Sequence, residues 1–542
     1  MKTRNSNRFV LMILFIAITA CSPKKETKLI ADIPICGTVQ FSDGCSKELD
    51  EIISYGLALV HHMTYPEAEA VFDKVIETDA QCFWGPWGKA LTYIHPVWPD
   101  EPSEEQMNTG FEMAQKALTL ARSEKEIAYG NAVLAYYSLT PEKTKKERLV
   151  NFQEKWQLAY ASSPNDMEAK SFYALSLIGT ADPTDKTFAN QLKAGALAEE
   201  VLQVIGDHPG GFHYVIHAYD YPGLSDKALQ AANQYGKIAP EIPHALHMPS
   251  HIYTRLGMWK ESIDWNTRSA AAAFDTLKTG SAVSMHYFHA LDYLIYAYLQ
   301  RGEDDKAIQL LEDMRKLVAS FQISPVTAYA LSAAESRLAL ERQDWKQAAS
   351  LTLLKATDFP WNKFPEYEAL THFAVGLGAA RTGLTDVADN ALKRLTELQQ
   401  LCKNKYWIGQ MEIQKITVRA WIANSQGKKK EALDLMTLAS DQEWATQKHP
   451  ITPGDLLPAR ELLGDLLLEL NQYNEALAQY ELSLQRSPQR LNSVYGAALS
   501  AQLSNNAVKA KMYYEQLQSL TSSAETTFDK KQKATEYLKK SS

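Results

Sequence analysis

Over most of its length the chain repeats, in degenerate and unevenly spaced copies, one arrangement of small, apolar and aromatic residues that occupies about 34 positions. That repeat constrains the fold more than any other feature. The clearest copy runs from Leu457 to Pro488. Counting Leu457 as position 1, residues Leu463, Gly464, Leu467, Ala476, Tyr480 and Pro488 fall at 7, 8, 11, 20, 24 and 32. Gly56, Ala68 and Phe72 hold positions 8, 20 and 24 of an earlier copy, and Trp156, Ala159 and Pro164 hold 24, 27 and 32 of another. Small residues at fixed places let two helices approach closely, and a proline ends each unit. A two-helix unit of this size cannot bury its apolar face alone, so copies must stack. No stretch sustains the apolar–polar alternation of a strand, so the expected class is all-α.

The spacing resembles the tetratricopeptide signature. That resemblance implies a helical-hairpin solenoid wound as a right-handed superhelix, with degenerate repeats over 47–520. Residues 21–46 read as a tether and N-terminal cap. Residues 521–542 read as a capping helix or a frayed tail. Pro96 to Pro102 and Thr180 to Thr187 interrupt the pattern without being long enough to mark separate domains.

Six of the thirteen histidines lie between His208 and His251. His213, His217 and Asp220 are spaced i, i+4, i+7, and His244, His247 and His251 are spaced i, i+3, i+7, so each set shares one face of a helix. The repeat can be phased without them. Gly223, Gly257 and Gly302, each at position 15, start three successive units at Pro209, Pro243 and Phe288. His213, His217 and Asp220 then occupy positions 5, 9 and 12. His244, His247, His251 and Arg255 occupy 2, 5, 9 and 13, and His289 and Asp292 occupy 2 and 5. In the family these positions face the concave groove, so the resemblance implies that all of these residues point at one surface.

Imidazoles on adjacent first helices, about 8–10 Å apart, could share an ion. Those two helices apart, such as His213 and His289, could not share one directly. A site around His217, His247 and His251, with Asp220 or Asp292 adding a carboxylate, suits zinc first, then iron or copper. Two other readings stand beside it: an anionic ligand held by histidines with Arg255, and a polar groove for a peptide, protein or small molecule. Pro249 falls in the interior of the predicted helix, where proline costs about 3 kcal/mol. Either the helix bends there, or it begins there and His244–His247 is a loop.

His61 and His62 sit at the end of a predicted helix, where capping is the expected role. The tryptophans near His95 (Trp84, Trp87 and Trp98) read as packing. Glu366, Glu368 and His372 have no clear phase. No HExxH, GxSxG, phosphate-binding glycine loop or dinucleotide fingerprint occurs.

The first residues read as a targeting segment. Lys2, Arg4 and Arg8 precede an apolar run, Phe9 to Ala20, that is too short to span a bilayer comfortably. Ile18-Thr19-Ala20-Cys21 resembles the bacterial lipoprotein signal, which implies cleavage after residue 20 and acylation of Cys21. The expected location is the cell envelope, at the outer membrane facing the periplasm, with membrane contact through the lipid alone. The formal charge is −8, and losing the three leader cations makes it −11. That balance argues against a nucleic-acid partner. An exported chain can keep disulfides. Cys36 and Cys45 are close enough to staple the start of the fold, while Cys82 and Cys402 read as buried and unpaired.

Beyond the generic repeat, HYVIHAYDYP at His213 to Pro222 and PHALHMPSHIYTRLGMW at Pro243 to Trp259 resemble a group of bacterial tetratricopeptide lipoproteins without a defined activity. Two functions remain open on the sequence. One is a binding protein holding a ligand, a partner or a metal in the groove. The other is a metal-dependent hydrolase or oxidase in which Asp220 is the candidate catalytic residue.

Overall fold

The structure, a computed structural model, describes residues 34–41, 45–98, 100–138, 143–182, 184–275, 283–317, 321–354 and 359–541. The leader and the lipidation candidate Cys21 lie outside the described residues. Within them the protein is an all-α solenoid of helical hairpins, running from the helix Lys47–His61 to Ala507–Leu520. A last helix, Asp529–Lys540, covers the end, its Tyr537 stacked on Tyr514 at 4.4 Å. No helix among the described residues is long and apolar enough to cross a membrane.

The repeat signature has a direct steric cause. A Cβ on Gly464 would lie 2.7 Å from the Tyr480 ring, and one on Gly56 would lie 2.9 Å from Phe72. Positions 8 and 24 are therefore one contact, in which the aromatic ring of the second helix rests on the bare backbone of the first. Ala68 and Ala476, at position 20, are fully buried. The position-15 glycines turn the chain between helices. Gly257 (φ +68°) and Gly302 (φ +71°) end their helices in the left-handed region, where a side chain would be strained.

The solenoid closes on itself. Trp259 Nε1 donates to the Gln489 carbonyl at 2.9 Å, and Leu491 N–H donates to Gln300 Oε1 at 2.9 Å. Arg337 donates to the Gly454 carbonyl at 3.0 Å. The last repeats thus return to the middle ones. The irregular stretch between the helices Lys429–Ala445 and Ala459–Glu469 is laid against the inner surface. At the other end, the 34–41 segment crosses the first hairpin, where the Cys36 carbonyl accepts from His62 Nε2 and Thr38 Oγ1 donates to Asp207.

Cys45 is bonded to Cys82, with a Cα–Cα distance of 5.4 Å, and Cys36 and Cys402 are free and buried. The expected Cys36–Cys45 staple and unpaired Cys82 are corrected on this point. The two bonded cysteines immediately precede the helices Lys47–His61 and Trp84–Leu91, whereas the Cys36 backbone is held at His62. Because the bridge closes a separation of 37 residues, replacing both Cys45 and Cys82 by serine is expected to cost about 3–4 kcal/mol. The loss should be read as a lower urea midpoint in far-UV circular dichroism, with the N-terminal hairpins melting first.

Candidate metal centre

The helices Pro209–Tyr219, Pro243–His247, Pro249–Leu256 and Met285–Arg301 carry the histidine stripe. Pro249 bends the chain without undoing it. Met248 keeps right-handed helical angles (φ −54°, ψ −37°), and its N–H still donates to the His244 carbonyl. His244, His247 and His251 remain neighbours across the bend, with ring separations of 6.3 Å between His244 and His247 and 4.9 Å between His247 and His251.

The six imidazoles do converge, but in the interior and not in an open groove, and four of them, His217, His244, His251 and His289, line a small chamber. His213, His217, His244, His247, His251 and His289 are all at least nine-tenths buried. Met63, Val97 and Trp98 close one part of the chamber, and His449, Pro450 and Ile451 close another. The free volume is about 30 Å³, which admits a few water-sized occupants and nothing as large as a peptide. The superhelix predicted from the repeat would have left this surface open; the returning C-terminal segment covers it.

The histidines sort into two triads, each with ligand nitrogens within 4.8 Å of one another: His247, His251 and His289, and His213, His217 and His244. The expected grouping of His217 with His247 and His251 is thus redistributed, with His217 joining the neighbouring set. As the helix spacing required, His213 and His289 fall in different triads.

Tautomers are fixed at the centre of the first triad. His247 Nδ1 donates to Asn266 Oδ1 at 2.7 Å, and the Asn266 amide is oriented by its own donation to the Ser262 carbonyl at 2.8 Å. His251 Nδ1 donates to Asp220 Oδ2 at 3.0 Å. In the neutral rings both Nε2 atoms therefore carry lone pairs, and they face each other at 3.0 Å. Two lone pairs at that distance repel unless something positive lies between them. Nitrogens bound to one tetrahedral ion at 2.0–2.1 Å are about 3.3 Å apart, close to the spacing found. A carboxylate or amide behind a ligating imidazole is the usual arrangement at metal sites.

The rings are poised as ligands in charge as well. Burial pushes His217 down to about 3, and it lowers His213, His244, His247 and His289 far below the ordinary histidine range, with neighbouring imidazoles acting in the same sense. His251 is also lowered by burial, against the opposing pull of Asp220. Neutral imidazole is the form that ligates.

Asp220, expected as a ligand or a catalytic acid, stands behind His251. Its carboxylate accepts from Arg255 Nε at 2.8 Å and Lys448 Nζ at 2.8 Å as well as from His251. Burial alone would raise this carboxyl, but Lys448, Arg255 and His251 hold it well below the usual range. Arg255, expected to meet a ligand, is spent on Asp220, donating also to its backbone carbonyl at 2.9 Å. Asp292 lies apart from both triads, 3.4 Å from Arg337 Nε, and burial lifts it to about 6.

His61, Glu168 and His208 also have ligand geometry, yet every nitrogen is already used. Glu168 accepts from His61 Nε2 at 2.7 Å and from His208 Nε2 at 2.8 Å. Tyr214 Oη donates to His61 Nδ1, and Gly211 N–H to His208 Nδ1. This cluster joins three hairpins and leaves no imidazole lone pair for an ion. His61 and His62 are therefore inter-repeat ties, not helix caps. Trp84 and Trp87 are core residues with no exposure, whereas Trp98 packs on His244 and His286. His372 meets Glu368 at 3.4 Å, and neither residue lines the chamber or belongs to a triad.

Sequence reasoning missed Asn266, Lys448 and His449, and also Tyr293, whose ring lies 4.7 Å from that of His247 and 5.2 Å from that of His251. Lys448 and His449 belong to the stretch KHPITPGDLLP, whose three prolines break the repeat between two well-formed copies. That break is the signal that could have marked them.

The chain matches no family model and no curated protein sequence. Among solved structures it is similar to a human IFIT1 dimer with PPP-AAAA. The identity is 15% and the TM-score 0.38, over 77% of this chain and 87% of that one. A monomeric IFIT1 mutant with Gppp-AAAA gives 14% identity and a TM-score of 0.38 over the same shares. What IFIT1 is bound to in those structures is a property of IFIT1.

Proposed function

We propose that the chain is an envelope lipoprotein, anchored through Cys21, whose histidine chamber holds a transition-metal ion and acts on a small molecule. The metal reading rests above all on the 3.0 Å approach of His247 Nε2 to His251 Nε2, with both Nδ1 atoms committed to acceptors. His289, with its ring 4.2 Å from that of His247, completes a three-imidazole set. Such a set leaves a position for water or substrate, the arrangement used for metal-assisted hydrolysis or oxidation.

Asp220 orients His251, and Arg255 and Lys448 keep that carboxylate ionised. A cavity of about 370 Å³ shares Met63 and Trp98 with the chamber and is lined further by Tyr65, Tyr93 and His286. Its size fits a small substrate approaching past Trp98. A peptide or protein has no room in the chamber itself, and a net acidic chain with a neutral chamber is poorly suited to nucleic acid. The anchor and location are supported by the Ile18-Thr19-Ala20-Cys21 pattern and by the likeness to bacterial lipoproteins.

The test is elemental analysis of the purified mature chain beside the His247→Ala/His251→Ala variant. The wild type should carry at least about one equivalent of zinc, iron or copper per chain, and the variant should carry about one equivalent fewer. Metal-free wild type that also takes up none of these ions on reconstitution would remove the proposal.

A further inference from the structure

The second triad has the marks of an ion site in its own right. His213 Nδ1 donates to the His61 carbonyl at 2.6 Å, so its Nε2 carries a lone pair, and His244 Nε2 lies 3.2 Å from it. His217 Nε2 and His244 Nδ1 are fully buried and have no hydrogen-bond partner. Buried polar atoms left bare each cost about 1–3 kcal/mol, and three crowded imidazoles with open nitrogens call for a shared electrophile. The triads adjoin: the His217 and His251 rings are 6.2 Å apart, and those of His244 and His247 are 6.3 Å apart.

Charge and softness narrow the choice of ion. Among the described residues, the chamber wall contains no carboxylate, and its donors beyond the two triads are the His449 imidazole and the thioethers Met63 and Met248. The nearest anion, Asp220, is already outweighed by Arg255 and Lys448. Two dications in this neutral, buried space would add four positive charges beside a net positive one, with nothing to offset them. Two monovalent ions halve that burden, and imidazole with thioether nearby is the donor environment that selects Cu(I).

We infer that the chamber is a dinuclear copper site, one cuprous ion held by His247, His251 and His289 and the other by His213, His217 and His244. This rests on the metal reading above but adds a second ion and an identity, and the two can fail separately.

The full-length lipidated chain in detergent, stripped of metal, is titrated anaerobically with Cu(I) against a competing chelator and separately with Zn(II), with bound metal measured by elemental analysis. Two Cu(I) per chain are expected, whereas the second Zn(II) should bind at least a hundredfold more weakly than the first. His213→Ala/His244→Ala and His247→Ala/His289→Ala should each hold one Cu(I). X-ray absorption of the wild type should show about three imidazole nitrogens per copper, a readout that needs no variant to fold. One Cu(I) at saturation, unchanged in His213→Ala/His244→Ala, overturns the second site and leaves the single-metal reading intact. Two Zn(II) bound as tightly as two Cu(I) overturn the assignment to copper. No metal of either kind defeats the copper assignment, and refusal of iron as well defeats both readings.

Discussion

Acidifying the metal-free chain from pH 6.5 to pH 5 is expected to unfold it. Burial lowers the folded-state protonation of ten of the thirteen histidines: His62, His217 and His449 to about 3, His286 to about 4, and the other six by direction. In the unfolded chain each takes up a proton near its ordinary value of about 6.5. Below that pH the unfolded state binds more protons, so the stability present above about 6.5 is lost as pH falls. Each group contributes about 1.4 kcal/mol per pH unit. Four carboxyls act in the opposite sense. Asp292 and Asp465 are raised to about 6, Glu443 to about 8, and Glu366 by direction. They favour the folded state as pH falls towards their unfolded values near 4. The histidines outnumber them, and even a net three or four protons amounts to about 5 kcal/mol per unit, comparable with the whole stability of a domain. Urea midpoints at pH 7, 6 and 5 measure this. His62→Gln/His449→Gln, outside both triads, should flatten the slope, and a bound metal should move the acid midpoint lower. A stability that is level from pH 7 to 5 would mean the rings are not buried as a neutral set.

Much of this fold is local, and the local part was readable. The aromatic at position 24 and glycine at position 8 are one steric contact, seen at Gly464–Tyr480 and again at Gly56–Phe72. The position-15 glycines, with their left-handed backbone, set the phase that placed His213, His217, His244, His247, His251 and His289 on one side. What could not be read is how far the hairpins rotate before the chain meets itself. The Lys448–Asp220 ion pair spans 228 positions, and no periodicity of about 34 residues carries such information. For this reason the groove was expected to be open, and Asp220 and Arg255 were placed facing a ligand when they face each other. The disulfide escaped for a related cause. Cys36 is the nearer cysteine in sequence, but its backbone is pinned across His62, while Cys82 is brought to Cys45 by the packing of the first helices.

The return of the C-terminal repeats is held by a buried charge cluster, and Arg490→Met should break it at a cost of about 3–5 kcal/mol. Arg490 has no exposure. It donates through Nε and Nη2 to Glu461 at 2.8 and 3.0 Å, and through Nη1 to Glu341 at 2.8 Å and Tyr296 Oη at 3.0 Å. Removing the cation leaves two carboxylates buried without their partner, though Ser493 and Asn492 still donate to them. Adding Glu341→Gln and Glu461→Gln to Arg490→Met should recover part of the loss, because the penalty lies in the stranded charges and not in the missing contact. The consequence reaches the chamber. Residues 448–451 lie just before the repeats around Glu461 and Arg490 that return to Tyr296 and Glu341, so loosening that junction is expected to uncover His251 and His289. Arg490→Met should therefore release bound metal to a chelator at least tenfold faster than wild type, although no ligand has been touched. Unchanged release alongside lowered stability would show that the 448–451 wall is held by its local bonds, Lys448 to Asp220, Tyr293 to the Thr452 carbonyl and Arg337 to the Gly454 carbonyl, and that closure of the solenoid and closure of the chamber are separate events.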